Sequence, residues 1–331
     1  MLLSRVVQFL CLVVLASVFS AQPDISHAQP QYVVISFDGA KDIAQWERSR
    51  ALARKTGAQF TYFLSCVYLL TRDNREQYMP PRHGRGASNV GFAETRDDIA
   101  RRLRQIWAAR LEGHDIASHG CGHFDGGDWT KADWRRELQA FRTVLADAWK
   151  NNRIPFEPSG WRDFARHGIE GFRAPYLSTG KPLFEALADA GYVYDASTVS
   201  RGPAQPDVGA PIRFSLPTIP EGPKARRIIA MDYNLFVRHS GGIERTAKSA
   251  EFEERAYQAF TRAFEEQYRG PRVPLQIGFH FTLMNDAAYW RALERFATDV
   301  CGRSEVRCVS YRTLAHILRH DDSTASVAPG N

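Results

Sequence analysis

The sequence predicts an α/β fold, a deformed (β/α) barrel with about seven parallel strands. Short β-rich runs alternate with helix-period segments from residue 32 to residue 320, the pattern of a parallel sheet wrapped by helices. Four polar clusters also fall at the carboxyl ends of predicted strands, the end at which barrel folds assemble their sites. With 331 residues, 44% of them hydrophobic and 12% aromatic, the chain can fill one large core or two modest ones. The unbroken alternation favours one domain over residues 29–320. A charged fraction of 24% is ordinary and excludes a disordered chain.

The elements follow in order. Tyr32 to Phe37 is a β-rich run that ends at Asp38 and Gly39, and a helix from Ile43 to Lys55 is closed by Gly57. Phe60 to Ser65 is the next strand. In the segment from Glu94 to Glu112, Ile99, Leu103, Ile106, Trp107 and Leu111 recur at helical spacing. Asp115 to His119 reads as a strand and Lys131 to Lys150 as a helix. Gly171 to Tyr176, a helix at Pro182 to Ala190, and Tyr192 to Ser197 continue the pattern. Further strands are expected at Ile212 to Leu216, Ile228 to Tyr233, Gln276 to Phe281 and Arg307 to Val309. Phe252 to Tyr268, Ala287 to Thr298 and Tyr311 to His320 are the last helices. Two loops interrupt the rhythm. Thr71 to Phe92 is polar and carries Arg72, Arg75, Arg82 and Arg85, and Arg201 to Pro223 holds six prolines. The tail, Asp321 to Asn331, is too poor in apolar residues to fold and reads as flexible.

The first 28 residues read as a secretory signal peptide. Arg5 precedes an apolar run from Val6 to Phe19, which is shorter than the ~20 residues of a membrane span. Small residues allow cleavage after Ala21 or Ala28. No other segment is apolar enough to span a bilayer, so a secreted or periplasmic protein is expected. The formal charge of +6 survives loss of residues 1–28, because Arg5 and Asp24 cancel. A modest positive balance permits an acidic partner without demanding one, and no nucleic-acid motif is present. Of the cysteines beyond Cys11, Cys301 and Cys308 close a short loop and are the expected disulfide. Cys66 and Cys121 could be buried thiols or a second bond.

The four polar clusters are Asp38, His119 with His123, Arg173 with Tyr176, and His280. Two imidazoles four residues apart beyond a strand can converge on one cation, with a carboxylate from elsewhere completing the face. They could equally be loop histidines bonded to backbone. Asp38 can be a metal ligand, a general base, or a turn-former in an Asp-Gly step.

Taken in order, ISFDGA, SHGCGH, GFRAPYL with GYVYDAST, and QIGFHF resemble the successive motifs of the polysaccharide deacetylase family, the NodB-homology or carbohydrate esterase family 4 domain. RAPYL through YDAST is most similar to its chitin deacetylase branch. The motifs span Ile35 to Phe281, about three quarters of the chain.

The resemblance implies hydrolysis of N-acetyl groups on a polysaccharide or oligosaccharide. His119 and His123, with Asp38, would hold a divalent metal, zinc foremost and cobalt or nickel as substitutes. Asp38 matches the catalytic base, and Arg173 matches the arginine that orients it. The Tyr176 N–H would stabilise the oxyanion, and His280 matches the general acid. Asp232 is the expected carboxylate partner of His280, with Asp195 its rival. Tyr176 and Trp129 are the candidates for sugar contact.

The sequence departs from the family where a second aspartate usually follows the first as a metal ligand: residue 39 is glycine. Asp42, Asp125 and Asp128 lie near enough in sequence to stand in. Two other functions stay open, a carbohydrate-binding pseudoenzyme and a metal-independent amidase of the same fold.

Overall fold

A computed structural model of the chain describes residues 29–325. The expected signal peptide lies outside the described residues, as do the final six. One sheet organises the molecule. Its strands are β1 (Gln31–Gly39), β2 (Thr61–Leu64), β3 (Asp115–Ser118), β4 (Gly171–Phe172), β5 (Tyr194–Ser200), β6 (Ile212–Glu221), β7 (Arg226–Ile229), β8 (Leu275–His280) and β9 (Val306–Cys308). The spatial order is β7-β6-β5-β4-β3-β2-β1-β8, with β9 also paired to β1. All pairings are parallel except β6 with β7. The sheet curls into an incomplete barrel, and its two edges meet where Gly278 N–H donates to the Ala230 carbonyl at 2.9 Å. The fold is thus the deformed, mostly parallel barrel expected, with nine strands among the described residues rather than about seven.

The helices that wrap the sheet are α1 (Ile43–Thr56), α2 (Arg96–Leu111), α3 (Lys131–Ala146), α4 (Ala148–Asn151), α5 (Trp161–His167), α6 (Lys181–Asp189), α7 (Asp232–Ser240), α8 (Ser249–Tyr268), α9 (Met284–Val300) and α10 (Tyr311–Ala325). Both α2 and α3 start with full capping boxes, Thr95 with Asp98 and Thr130 with Asp133, which satisfy orphan N–H groups reciprocally. Helix α10 runs to Ala325, beyond the sequence boundary at His320. The expected Ile228–Tyr233 strand stops at Ile229, and Asp232 instead opens α7.

The two-residue period of β1 sorts its side chains. Val33, Ile35 and Phe37 pack outward beneath the helices, with Trp46, Tyr62, Phe279 and Trp290. Tyr32 and Val34 face the barrel interior with Phe63, Tyr194, Phe214, Tyr311 and Leu314. Helix α10 plugs the amino end of the barrel through Tyr311, Leu314 and Ala315. Ser36 and Asp38, next on the inward face, leave the carboxyl end polar.

Candidate active site

Asp38 ends the inward row of β1 and is the direct register partner of His280 on β8. The two side chains therefore open on the same side of two adjacent strands. Arg173, fully buried one residue beyond β4, donates to Asp38 Oδ1 at 2.8 Å and to Ser36 Oγ at 2.9 Å. It also donates to the Tyr311 hydroxyl at 3.0 Å and the Ala196 carbonyl at 3.0 Å, with its guanidinium over the Phe63 ring. All three nitrogens of this planar fork are engaged, which lysine could not reproduce. Burial alone would raise the Asp38 carboxyl, but the charge and hydrogen bond of Arg173, with the positive tendency of His280, outweigh it and hold Asp38 below the ordinary range.

His280 is fixed by Asp232 at the start of α7. One carboxylate oxygen accepts the His280 backbone N–H at 2.8 Å, and the other meets Nδ1 at 2.6 Å. Burial disfavours the imidazolium, yet the charge and hydrogen bond of Asp232 prevail and raise His280 above its ordinary value. The rival, Asp195, is buried elsewhere and bonds to Ser197. The cleft thus holds, in adjacent register, a carboxyl biased towards its ionised form and an imidazole biased towards its protonated form.

His119 extends β3 by one rung, its N–H donating to the Leu64 carbonyl at 2.8 Å. Its Nδ1 lies 2.8 Å from the Arg173 carbonyl, which places the ring proton there and leaves Nε2 as an acceptor. His123 follows after a tight loop and itself has φ +57°. Its ring stands 5.0 Å from that of His119 and 4.9 Å from that of Tyr176, centroid to centroid. His123 Nδ1 is buried without a hydrogen-bond partner among the described residues. Burial pushes both imidazoles down, His119 to about 3, so both are neutral and available as donors.

These donors fit a borderline divalent ion such as zinc: two neutral imidazoles, one with an orphaned buried nitrogen. The third ligand is not assembled. Among the described residues no three His, Cys, Asp or Glu side chains converge closely enough to hold an ion. Asp38 is drawn instead towards Arg173, so the expected set of Asp38 with both histidines does not close. The substitutes are committed elsewhere. Asp42 caps α1, Asp125 accepts from Gly127 N–H, and Asp128 pairs with Arg82. Residue 39 is glycine where the backbone takes φ +83°, a conformation that disfavours a side chain.

The cleft is a cavity of about 720 Å³ onto which Asp38, His119, His123, Tyr176 and His280 all open. Tyr176, 60% exposed and at φ +57°, stands on one side, and Tyr233, 54% exposed, lies beside His280 on the other. Sequence reasoning missed Tyr233 and Lys41, which lines the cleft close to Gly39. Trp129 does not reach it: the indole is buried edge-on against Trp134, because an apolar ring gains most from the core. The polar Thr71–Phe92 loop contributes Val90 to the wall, and its Asn89 braces the histidine loop by donating to the Gly122 and His123 carbonyls. Cys301 and Cys308 form the expected disulfide. Cys66 and Cys121 form a second, with Cys121 in the loop between the two histidines, rather than a pair of thiols. No helix among the described residues is long and apolar enough to cross a membrane.

No family model matches the chain, and no curated protein matches it. Solved structures do. A provisionally assigned polysaccharide deacetylase from Mycobacterium smegmatis aligns with TM-score 0.54 at 17% identity, over 91% of this chain and 93% of its own. Another from Pseudomonas aeruginosa PAO1 aligns with TM-score 0.53 at 16% identity, over 88% of this chain and 91% of its own. The likeness establishes a common fold, the deformed barrel of polysaccharide deacetylases.

Proposed function

We propose that this chain hydrolyses the N-acetyl group of amino sugars in a polysaccharide or oligosaccharide outside the cytoplasm, assisted by a divalent ion, zinc foremost, held by His119 and His123. The observation that carries this is the pairing of opposite tendencies in one cleft: Asp38 paired with Arg173, which favours its ionised form, and His280 paired with Asp232, which favours its protonated form, on neighbouring strands. A sugar-binding site has no need of both. Two disulfides in the described chain accord with an oxidising compartment.

Asp38 takes a proton from the attacking water, and Arg173 keeps the carboxylate oriented towards it. The oxygen of the tetrahedral adduct receives the Tyr176 N–H, at a turn already closed by the N–H groups of Leu177 and Ser178. His280 then delivers its proton to the departing nitrogen, so that the C–N bond breaks to acetate and a free amine. When bound, the ion polarises the acetamide carbonyl and acidifies water. The exposed rings of Tyr176 and Tyr233 offer faces to flanking sugars. Chitin-like chains, cell-wall glycans and exopolysaccharides all present the group this cleft would attack.

A second reading, a carbohydrate-binding protein that has lost catalysis, is favoured by the glycine at position 39 and the incomplete ligand set. Acetate release by wild type, Asp38→Asn and His280→Asn separates the two. The hydrolase predicts release by wild type and a near-complete loss in each variant. Sugar binding by calorimetry without release from any of the three would establish the second reading.

A further inference from the structure

Helix α3 carries Trp134, Leu138, Phe141 and Leu145 on its buried stripe, and Glu137 stands among them, 2% exposed. A carboxylate on an apolar stripe is costly unless its oxygens are occupied. Both are. The Cys121 N–H donates to Oε1 at 2.6 Å, and the Tyr78 hydroxyl donates to Oε2 at 2.7 Å. The same Tyr78 hydroxyl accepts the Gly122 N–H at 3.1 Å. Two of the three peptide N–H groups between His119 and His123, those of Cys121 and Gly122, are thus held by one acid and one phenol, neither of which lines the cleft. The glycines are sized to this arrangement. A Cβ on Gly122 would lie 2.9 Å from the Tyr78 ring and 2.5 Å from that of Phe124, and one on Gly120 would lie 3.2 Å from Glu137 Oε1. Asn89 holds the carbonyls of the same turn, its N–H donating to Gly122 O at 2.9 Å and its Nδ2 to His123 O at 3.2 Å, so the φ of +57° at His123 is maintained from its N–H groups by Glu137 and Tyr78 and from its carbonyls by Asn89.

We propose that Glu137, acting with Tyr78, is a positioning residue that sets His123 against His119 and so builds the two-imidazole donor pair. His119 is placed independently, by the β2 rung and the Arg173 carbonyl. His123 has no such strand, and its position follows from the loop whose N–H groups Glu137 and Tyr78 hold and whose carbonyls Asn89 holds. Glu137 acts through peptide groups, so a glutamine can keep the Cys121 bond, whereas an alanine releases the Cys121 N–H and leaves the Tyr78 hydroxyl, which holds Gly122, without its acceptor. The inference rests on the histidine pair being the ion's ligands, but the positioning itself is measured without any ion.

Two readouts on Glu137→Ala, Glu137→Gln and Tyr78→Phe test it. The first is the ring-to-ring nuclear Overhauser contact between His119 and His123 in metal-free protein. The second is Co(II) affinity, followed by visible absorption. The contact should persist in wild type and Glu137→Gln and vanish in Glu137→Ala. Cobalt affinity should fall about 10- to 100-fold in Glu137→Ala, the usual cost of losing a group that orients a ligand, and stay close to wild type in Glu137→Gln. Should Glu137→Ala not fold, Tyr78→Phe, which removes a single hydroxyl, decides on the same readouts. A lowered unfolding temperature with the ring contact and cobalt affinity unchanged would overturn the proposal. If wild type takes up no cobalt, the ligand assignment of the histidines fails, and the ring contact alone decides the positioning role.

Discussion

Asp232 accepts twice from His280, once from the backbone N–H at 2.8 Å and once from Nδ1 at 2.6 Å. The first bond fixes where the residue sits, and the second fixes the tautomer and raises the imidazole's affinity for its proton. That proton is the one the mechanism spends, at Nε2. Asp232→Asn keeps the shape and removes the charge, so the His280 midpoint should fall and the alkaline limb of acetate release should move to lower pH. The maximal rate should drop by about 10²- to 10⁴-fold, the usual worth of a positioned acid. A pH–rate profile with an unmoved alkaline limb would assign that limb to another group.

Asp38 and Arg173 govern the opposite limb. A carboxyl held below its unfolded value, ~3.9, contributes stability that is present above that value and is lost as pH falls through the lower folded one. The acidic limb of activity should therefore lie below the ordinary carboxylate range. Arg173→Met leaves Asp38 buried and unpaired. It should cost about 3–5 kcal/mol in chemical denaturation, because removing one partner of a buried pair strands the other. In whatever fraction folds, the acidic limb should shift upward.

Gly39→Asp restores a carboxylate beside the histidine pair. Its Cβ would meet only the Tyr68 ring, at 3.9 Å, so the obstacle is backbone strain at φ +83° rather than space. The strain should cost about 1–2 kcal/mol of stability, since aspartate tolerates this region better than most side chains. Zinc affinity, read by competition with a chromophoric chelator, should rise by about tenfold or more, ~1.4 kcal/mol. Unchanged affinity would mean that the two imidazoles do not hold the ion.

The two disulfides should differ in worth. Cys66–Cys121 spans 55 residues and Cys301–Cys308 spans 7. On chain-entropy grounds the longer loop contributes about 4 kcal/mol and the shorter about 2. Cys66→Ala with Cys121→Ala should lower the urea midpoint more than the Cys301→Ala, Cys308→Ala pair. It should also weaken cobalt binding, because Cys121 lies between the two histidines. The reverse order in denaturation would show that the short loop carries local strain relief outweighing entropy.

Much of this site was legible because its residues stand at strand ends. The inward period of β1 points to Asp38, and the β3, β4 and β8 runs end beside His119, Arg173 and His280. What escaped depends on tertiary register. Asp232 is the expected partner of His280, but the sequence places it within a strand rather than at the start of α7, since Ile228–Met231 is a short apolar run that suits a strand or a helix approach equally. Cys66 and Cys121 meet because Leu64 and Ser118 are register partners on parallel strands, so residues just past each arrive at one level. Glu137 could be seen only as an acid misplaced on an apolar stripe, with no sign of the peptides it holds. Trp129 was read towards the cleft, and burial claimed it.

The most direct test is acetate release by the protein on N-acetylated oligosaccharides, after chelation and again with zinc or cobalt restored. The account predicts release that chelation lowers and added metal recovers, and that Asp38→Asn abolishes in both states. No release from any substrate, with sugar still bound, would contradict the hydrolase and leave a binding cleft built on the same fold.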